Sequence, residues 1–113
     1  MTAVYYLNKN KKPSLHVTFN RSELGLLLSV YSEKVAKGEW RDYAIDLLGD
    51  CAVFSIFRHA HENPLFAVVK STGHKNKYEE FTVFKGPKKL QKSRNLNEVL
   101  ELFKDMLASG GIN

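Results

Sequence analysis

A single cysteine, Cys51, is all that this chain of 113 residues contains. An internal disulfide is therefore excluded, and a reducing compartment is the natural home. Apolar runs are short, and none approaches the roughly 20 residues a membrane-spanning helix needs. The amino end has the wrong order for a secretory leader: Met1-Thr2-Ala3-Val4-Tyr5-Tyr6-Leu7 precedes Lys9, Lys11 and Lys12, whereas a leader places its cations first. These absences predict a soluble, cytoplasmic protein with no membrane partner. Repeats, linkers and low-complexity tracts are lacking too. Residues 1–113 thus read as one domain, with residues 1–13 as a loosely ordered N-terminal arm. A chain of this size can bury a core without metal or disulfide staples.

The usual chemical signatures are equally scarce. A glycine-rich phosphate loop precedes a helix, whereas Gly110-Gly111 follows one. His59 and His61 have a strand-like spacing that can present two imidazoles on one side, with Glu62 adjacent. Metal sites add further ligands at suitable geometry, and Cys51 would lie at the far end of a hairpin. His16 and His74 add nothing at a recognisable spacing. A turn carrying two incidental histidines is the simpler account. Cys51 has no histidine close in sequence, which favours an inert thiol over a nucleophile. No catalytic residue, metal or cofactor is expected.

Charge, by contrast, is plentiful and segregated. The formal net charge is +5, made of +4 in residues 1–22, −3 in 23–69, +6 in 70–94 and −2 thereafter. The basic stretch holds Lys70, Lys75, Lys77, Lys85, Lys88, Lys89, Lys92 and Arg94, interleaved with Tyr78, Phe81 and Phe84. Aromatic rings beside cations on a sheet can stack bases while lysines hold phosphates. Lysine is a point charge without arginine's bidentate fork, which weakens a reading of specific recognition. Lysine-rich loops also simply keep a protein soluble. Lys75, Lys77, Lys85, Lys88, Lys89, Lys92 and Arg94 are the candidate anion or nucleic-acid contacts.

Hydrophobic spacing predicts the elements. Leu15-His16-Val17-Thr18-Phe19 alternates and reads as a short strand. Asn20 with Glu23 three residues on is a capping box, and Leu24, Leu27, Leu28, Tyr31 and Val35 follow at helical spacing until Gly38 stops the helix. Residues 43–48 and 51–58 flank Gly49-Asp50, a pair suited to a two-residue type II′ turn with Gly49 at positive φ. That turn sets residues whose numbers sum to 99 opposite each other. Tyr43, Ile45 and Leu47 then share an apolar face with Ile56, Phe54 and Ala52, with Ile45 and Phe54 expected under the helix. A slip of one residue would destroy this sorting. Further strands are read at 65–70, 78–84 and, weakly, 88–92. A final helix opens on a second capping box, Asn95 and Glu98, lines Leu96, Val99, Leu100, Phe103 and Leu107 on one face, and ends at Ser109-Gly110-Gly111. The expected architecture is α+β in two layers: an antiparallel meander sheet of five to six strands with two helices, one after the first strand and one at the C-terminus, packed on one face.

The opposite hairpin face would carry Trp40 beside His59, Asp42 beside Phe57, Ala44 beside Ser55, and Asp46 beside Val53. Trp40, Asp42, Asp46, Ser55, Phe57 and His59 form the candidate interaction face. Two carboxylates near a histidine can divide acid and base roles when their environments differ. A solvent-facing sheet surface, with Arg41 and Arg58 pairing the acids, explains the same residues without chemistry. The chain resembles a small bacterial family catalogued only as a domain of unknown function. The resemblance rests on Phe19, Arg21, Glu23-Leu24, Tyr31, Val35-Ala36, Gly38-Glu39-Trp40-Arg41-Asp42-Tyr43-Ala44-Ile45-Asp46, Ala52-Val53-Phe54-Ser55, Phe57-Arg58 and Pro64-Leu65. It covers residues 19–65, departs from Ser71 onward, and implies a compact bacterial protein without an established activity. The leading expectation is a non-catalytic binding or regulatory module that meets a protein partner or itself. Nucleic-acid binding through 70–94 is the alternative, and a small enzyme using Asp42, Asp46 and His59 comes third.

Overall fold

A helix needs partners for its first backbone N–H groups, and Asn20 supplies one. Glu23 N donates to Asn20 Oδ1 at 2.8 Å, and Asn20 N donates to Glu23 Oε1 at 2.8 Å. The capping box thus closes at the head of α1 (Arg21–Ala36), and Gly38, at φ +75, lets the chain turn away from the helix end. In this computed structural model the described residues are 16–59, 63–72 and 78–110, the last six as backbone alone. The expected arm at 1–13 lies outside them.

Five antiparallel strands follow in meander order: β1 (Asp42–Leu47), β2 (Cys51–Phe57), β3 (Phe66–Thr72), β4 (Glu79–Lys85) and β5 (Lys88–Ser93). A second helix, α2 (Leu96–Gly110), follows β5. The fold is α+β. The first hairpin has the expected register, with Tyr43 opposite Ile56, Ile45 opposite Phe54 and Leu47 opposite Ala52. Gly49 sits at φ +90, an angle that only glycine adopts without strain.

Three expectations need correction. Residues 16–20 form no strand; Val17 N donates to Gly49 O at 2.9 Å, at the tip of the first hairpin. Val17 and Phe19 are buried, so the alternation marked burial rather than a ladder. The second capping box does not close. Asn95 Oδ1 accepts from Asn97 N at 2.8 Å, while the Glu98 carboxylate accepts from the Ser93 hydroxyl at the end of β5. A competing hydroxyl from the preceding strand has taken the acid, and α2 continues through Ser109 and Gly110.

The third correction concerns which side of α1 is inside. Its buried positions are Glu23, Leu27, Val30 and Lys34. Leu24, Leu28 and Tyr31 are half-buried against the core, and Val35 is exposed. Two charged residues therefore occupy what apolar spacing cannot recognise as the inner stripe. The core runs from Leu27 through Phe54, Val68 and Val83 to Val99 and Phe103. Ile45, expected beneath the helix with Phe54, remains 36% exposed, whereas Phe54 is fully buried. Ile45 stands on β1, which among the described residues has a neighbouring strand on one side only.

Candidate interaction surface

Side chains alternate across a strand, so the ladder assigns each residue to a face. Ile56, Phe54 and Ala52 share one face with Phe66, Val68 and Lys70, and these with Phe81 and Val83. Phe57, Ser55 and Val53 share the other with Asp42, Ala44 and Asp46, and Ser55 and Val53 there adjoin Ala67 and Val69.

Trp40 does not join the second face. The β1–β2 ladder ends at Asp42 opposite Phe57, so the expected pairing of Trp40 with His59 does not form. Glu39 N and Trp40 N both bond Lys34 O, at 2.9 and 3.4 Å, which ties this segment to the end of α1. The indole is 4% exposed in the core. It meets Phe103 edge-on at 5.2 Å between ring centroids, Phe66 at 6.0 Å and Tyr31 at 6.4 Å, with Lys34 Nζ 5.4 Å from its own centroid. The remaining candidates divide: Ser55 is buried, Phe57 and Asp46 are half-buried, and Asp42 and His59 are exposed.

The two carboxylates stand four residues apart on one strand, about 13 Å along it. That is beyond the span at which one water bridges a catalytic carboxyl pair. Asp42 lies opposite Phe57, at the last pair of the ladder, while Asp46 lies toward the hairpin tip. Asp42 Oδ1 accepts from Tyr43 N at 2.8 Å, a local backbone role. His61 and Glu62 lie outside the described residues, and among the described residues no group of three His, Cys, Asp or Glu could hold a metal ion. A shallow cleft of about 280 Å³ is lined by Asn63, Pro64, Phe66, Ala67, Gly86 and Pro87, without an ionisable side chain among them. Burial pushes the Cys51 thiol above its ordinary range, and the neighbouring Asp50 carboxylate adds to this. That direction disfavours the nucleophilic thiolate.

The basic segment is dispersed. Lys75 and Lys77 lie outside the described residues. Lys70 is buried, its Nζ 2.8 Å from both Glu23 Oε1 and Thr18 O and 3.3 Å from Glu79 Oε2. Lys85 and Lys88 face each other, with Lys85 also opposite Phe66 on the first face. Lys89 and Lys92 stand opposite Phe84 and Thr82 on the second face. Lys92 pairs with Glu80 at 3.2 Å, and the Arg94 guanidinium lies 3.8 Å from the Tyr78 ring centroid.

Sequence reasoning missed the outer edge of the sheet. Among the described residues, Tyr43, Ile45, Leu47 and Leu48, together with Val35 on α1, are the large apolar residues left exposed, each by roughly two-fifths. The Tyr43 ring stacks on Phe54 at 5.2 Å and meets Tyr31 edge-on at 4.9 Å, so its inner side is anchored and its outer side open. Burial raises the Tyr31 phenol above its ordinary range, followed by the Asp42 carboxylate and Tyr43. The signal was available: Tyr-Ala-Ile-Asp-Leu-Leu is an apolar run on the first strand of a meander, a position that need not have a neighbour on both sides.

A five-stranded antiparallel sheet with two helices, lacking a metal cluster or long membrane helix among its described residues, defines a small α+β domain. The chain belongs to the family described as "Protein of unknown function (DUF2794)", whose model matches residues 17–100. That match runs past the expected 19–65, through β4 and β5 and into α2. No curated protein and no solved structure matches the chain.

Proposed function

We propose that this protein is a non-catalytic binding module of the bacterial cytoplasm, which takes a protein partner or a second copy of itself along the outer edge of β1. One observation carries the reading: among the described residues, exposed large apolar side chains gather on the outer strand and just after it, at Tyr43, Ile45, Leu47 and Leu48. Apolar and aromatic residues within a polar rim are what interface cores use, and Asp42 and Asp46, alternating with them along β1, lie on the other face of the strand. The opposite edge supports the contrast. Lys88, Lys89 and Lys92 stud β5, a common protection of a strand edge against pairing.

The reading takes both helices as covering one sheet face. Tyr31 of α1 meets Phe54 at 6.5 Å and Phe103 of α2 meets Phe66 at 5.0 Å, and both sheet residues project to the same side. The partner-facing surface is then the sheet's β1 margin, beyond that cover. Affinity capture from the native cytoplasm tests the idea, using wild type and an Ile45→Lys/Leu47→Lys variant followed by mass spectrometry. Loss of captured protein in a correctly folded variant is the expected result; identical profiles overturn it.

Nucleic acid is the alternative partner. Its support is Arg94 over Tyr78, with Lys89 and Lys92 on the face that carries Phe84. It is thinner, because Lys85 and Lys88 point to the other face and Lys92 already pairs with Glu80. Phosphate contacts would make binding fall steeply with salt, so a gel-shift series with RNA, single-stranded and duplex DNA decides it.

A further inference from the structure

An edge strand offers a row of backbone groups as well as side chains, and the phase of the first hairpin settles which residues offer them. Leu48 N donates to Cys51 O at 2.9 Å, so these two residues form a hydrogen-bonded pair. In an antiparallel ladder such pairs alternate with non-bonded ones. Asp46 and Ala44 therefore direct their N–H and C=O toward β2, and Leu47, Ile45 and Tyr43 direct theirs outward; at the head of the strand Arg41 N donates to Phe57 O at 2.8 Å. The Tyr43 N–H agrees, since its acceptor is the Asp42 side chain rather than β2. Among the described residues no strand lies outside β1. The residues with outward backbone groups are also the exposed apolar ones: Tyr43 at 39%, Ile45 at 36% and Leu47 at 42%.

We propose that β1 of a second copy occupies this edge, paired antiparallel with Ile45 opposite its own counterpart, so that two sheets become one. This rests on the binding-module reading and specifies its partner. A strand that pairs with itself must place outward-facing residues opposite outward-facing residues, which leaves registers centred on Ala44, Ile45 or Asp46 for substantial overlap. Centring on Ala44 sets Asp42 against Asp46, and centring on Asp46 sets that carboxylate against itself. Like charges directly opposite are destabilising. Centring on Ile45 avoids both. It matches Ile45 with Ile45, Tyr43 with Leu47 and Ala44 with Asp46, so the apolar face closes on itself and each carboxylate meets an uncharged side chain. Among the described residues, the exchange required is that Tyr43 N gives up the Asp42 carboxylate for a carbonyl of the partner strand.

Sedimentation equilibrium of the full chain over a wide concentration range is the first measurement, with Ile45→Lys as the variant. Dimerisation by wild type is expected, weakened about tenfold or more by the lysine, which removes apolar contact and opposes two cations. Disulfide trapping reads the register. Facing residues of a bonded antiparallel pair have Cα atoms about 5.5 Å apart, within reach of a disulfide. In a Cys51→Ser background, Ile45→Cys should cross-link to its counterpart under mild oxidation, and Ala44→Cys and Asp46→Cys should not. A wild-type chain that stays monomeric overturns the proposal. So does a dimer indifferent to Ile45→Lys, or one trapped through position 44 or 46. If the chain is monomeric yet Ile45→Lys with an intact circular-dichroism spectrum abolishes capture of another protein, the binding-module reading stands with a different occupant. If capture also survives, that reading falls as well.

Discussion

Lys70 illustrates how much one side chain can change its meaning on folding. It opens the most basic stretch of the chain, yet its ammonium lies buried between Glu23 Oε1 and the Thr18 carbonyl, each 2.8 Å away. Glu23 in turn caps α1, so one carboxylate closes a helix and neutralises a cation from β3. Breaking a buried pair leaves an uncompensated charge, which costs far more than the intact pair is worth. Lys70→Ala is therefore expected to destabilise the fold by about 3–5 kcal/mol, measured by urea unfolding. Lys92→Ala, which breaks a largely exposed pair with Glu80, should cost about 1 kcal/mol or less. Equal costs for the two variants would show that burial does not govern this pair. Neither partner of the buried pair could be found by periodicity. Lys70 and Glu23 stand 47 positions apart, and charged residues on an inner stripe look like a solvated face.

At the scale of elements, the first hairpin was the most legible feature. Gly49-Asp50 and the alternation on either side dictate one register, and every partner from Asp42–Phe57 to Leu47–Ala52 follows it. What the pattern could not rank was depth. Both strands carry an apolar face, but among the described residues β2 has neighbours on both sides while β1 has one. Phe54 is fully buried as a result, and its partner Ile45 is not. Phe54→Ala should cost about 3–5 kcal/mol by the same urea measurement. Ile45→Ala, compared at one fixed protein concentration, should cost well under half of that. A reversal of this order would contradict the edge position of β1. The candidate face failed at its first residue for a related reason. Trp40 joins that face only if the ladder runs two residues past its real end, whereas bonds to Lys34 O hold that segment to α1.

At the scale of the molecule, Trp40 becomes a reporter of the whole core. Its indole touches Tyr31 of α1, Phe66 of β3 and Phe103 of α2, so it samples both helices and the sheet at once. A domain of this size with one core unfolds cooperatively as a rule. Tryptophan fluorescence and far-ultraviolet circular dichroism are expected to trace the same urea transition, with a slope of about 1–3 kcal/mol per molar. Fluorescence changing well before the dichroism would mean that the aromatic cluster opens while the sheet persists. The wide dispersal of the 70–94 cations belongs to this scale too. Sequence brings them together, but β4 and β5 distribute Lys85, Lys88, Lys89 and Lys92 to two faces, and β3 takes Lys70 to an interior position.

Sequence alone determined whatever depends on neighbours within one turn or one hairpin: the Asn20–Glu23 cap, the turn at Gly49, the register of β1 on β2, and the α+β class. Those are local contests between dihedral preference, hydrogen bonding and apolar period, and the winning residues are adjacent in the chain. Tertiary structure alone decided which apolar face is covered and which is left open, because coverage depends on strand order and helix reach rather than on the strand itself. It also took Trp40 and Lys70 inside, where remote partners satisfy them, and left Tyr43, Ile45 and Leu47 at an edge that their own composition would have hidden.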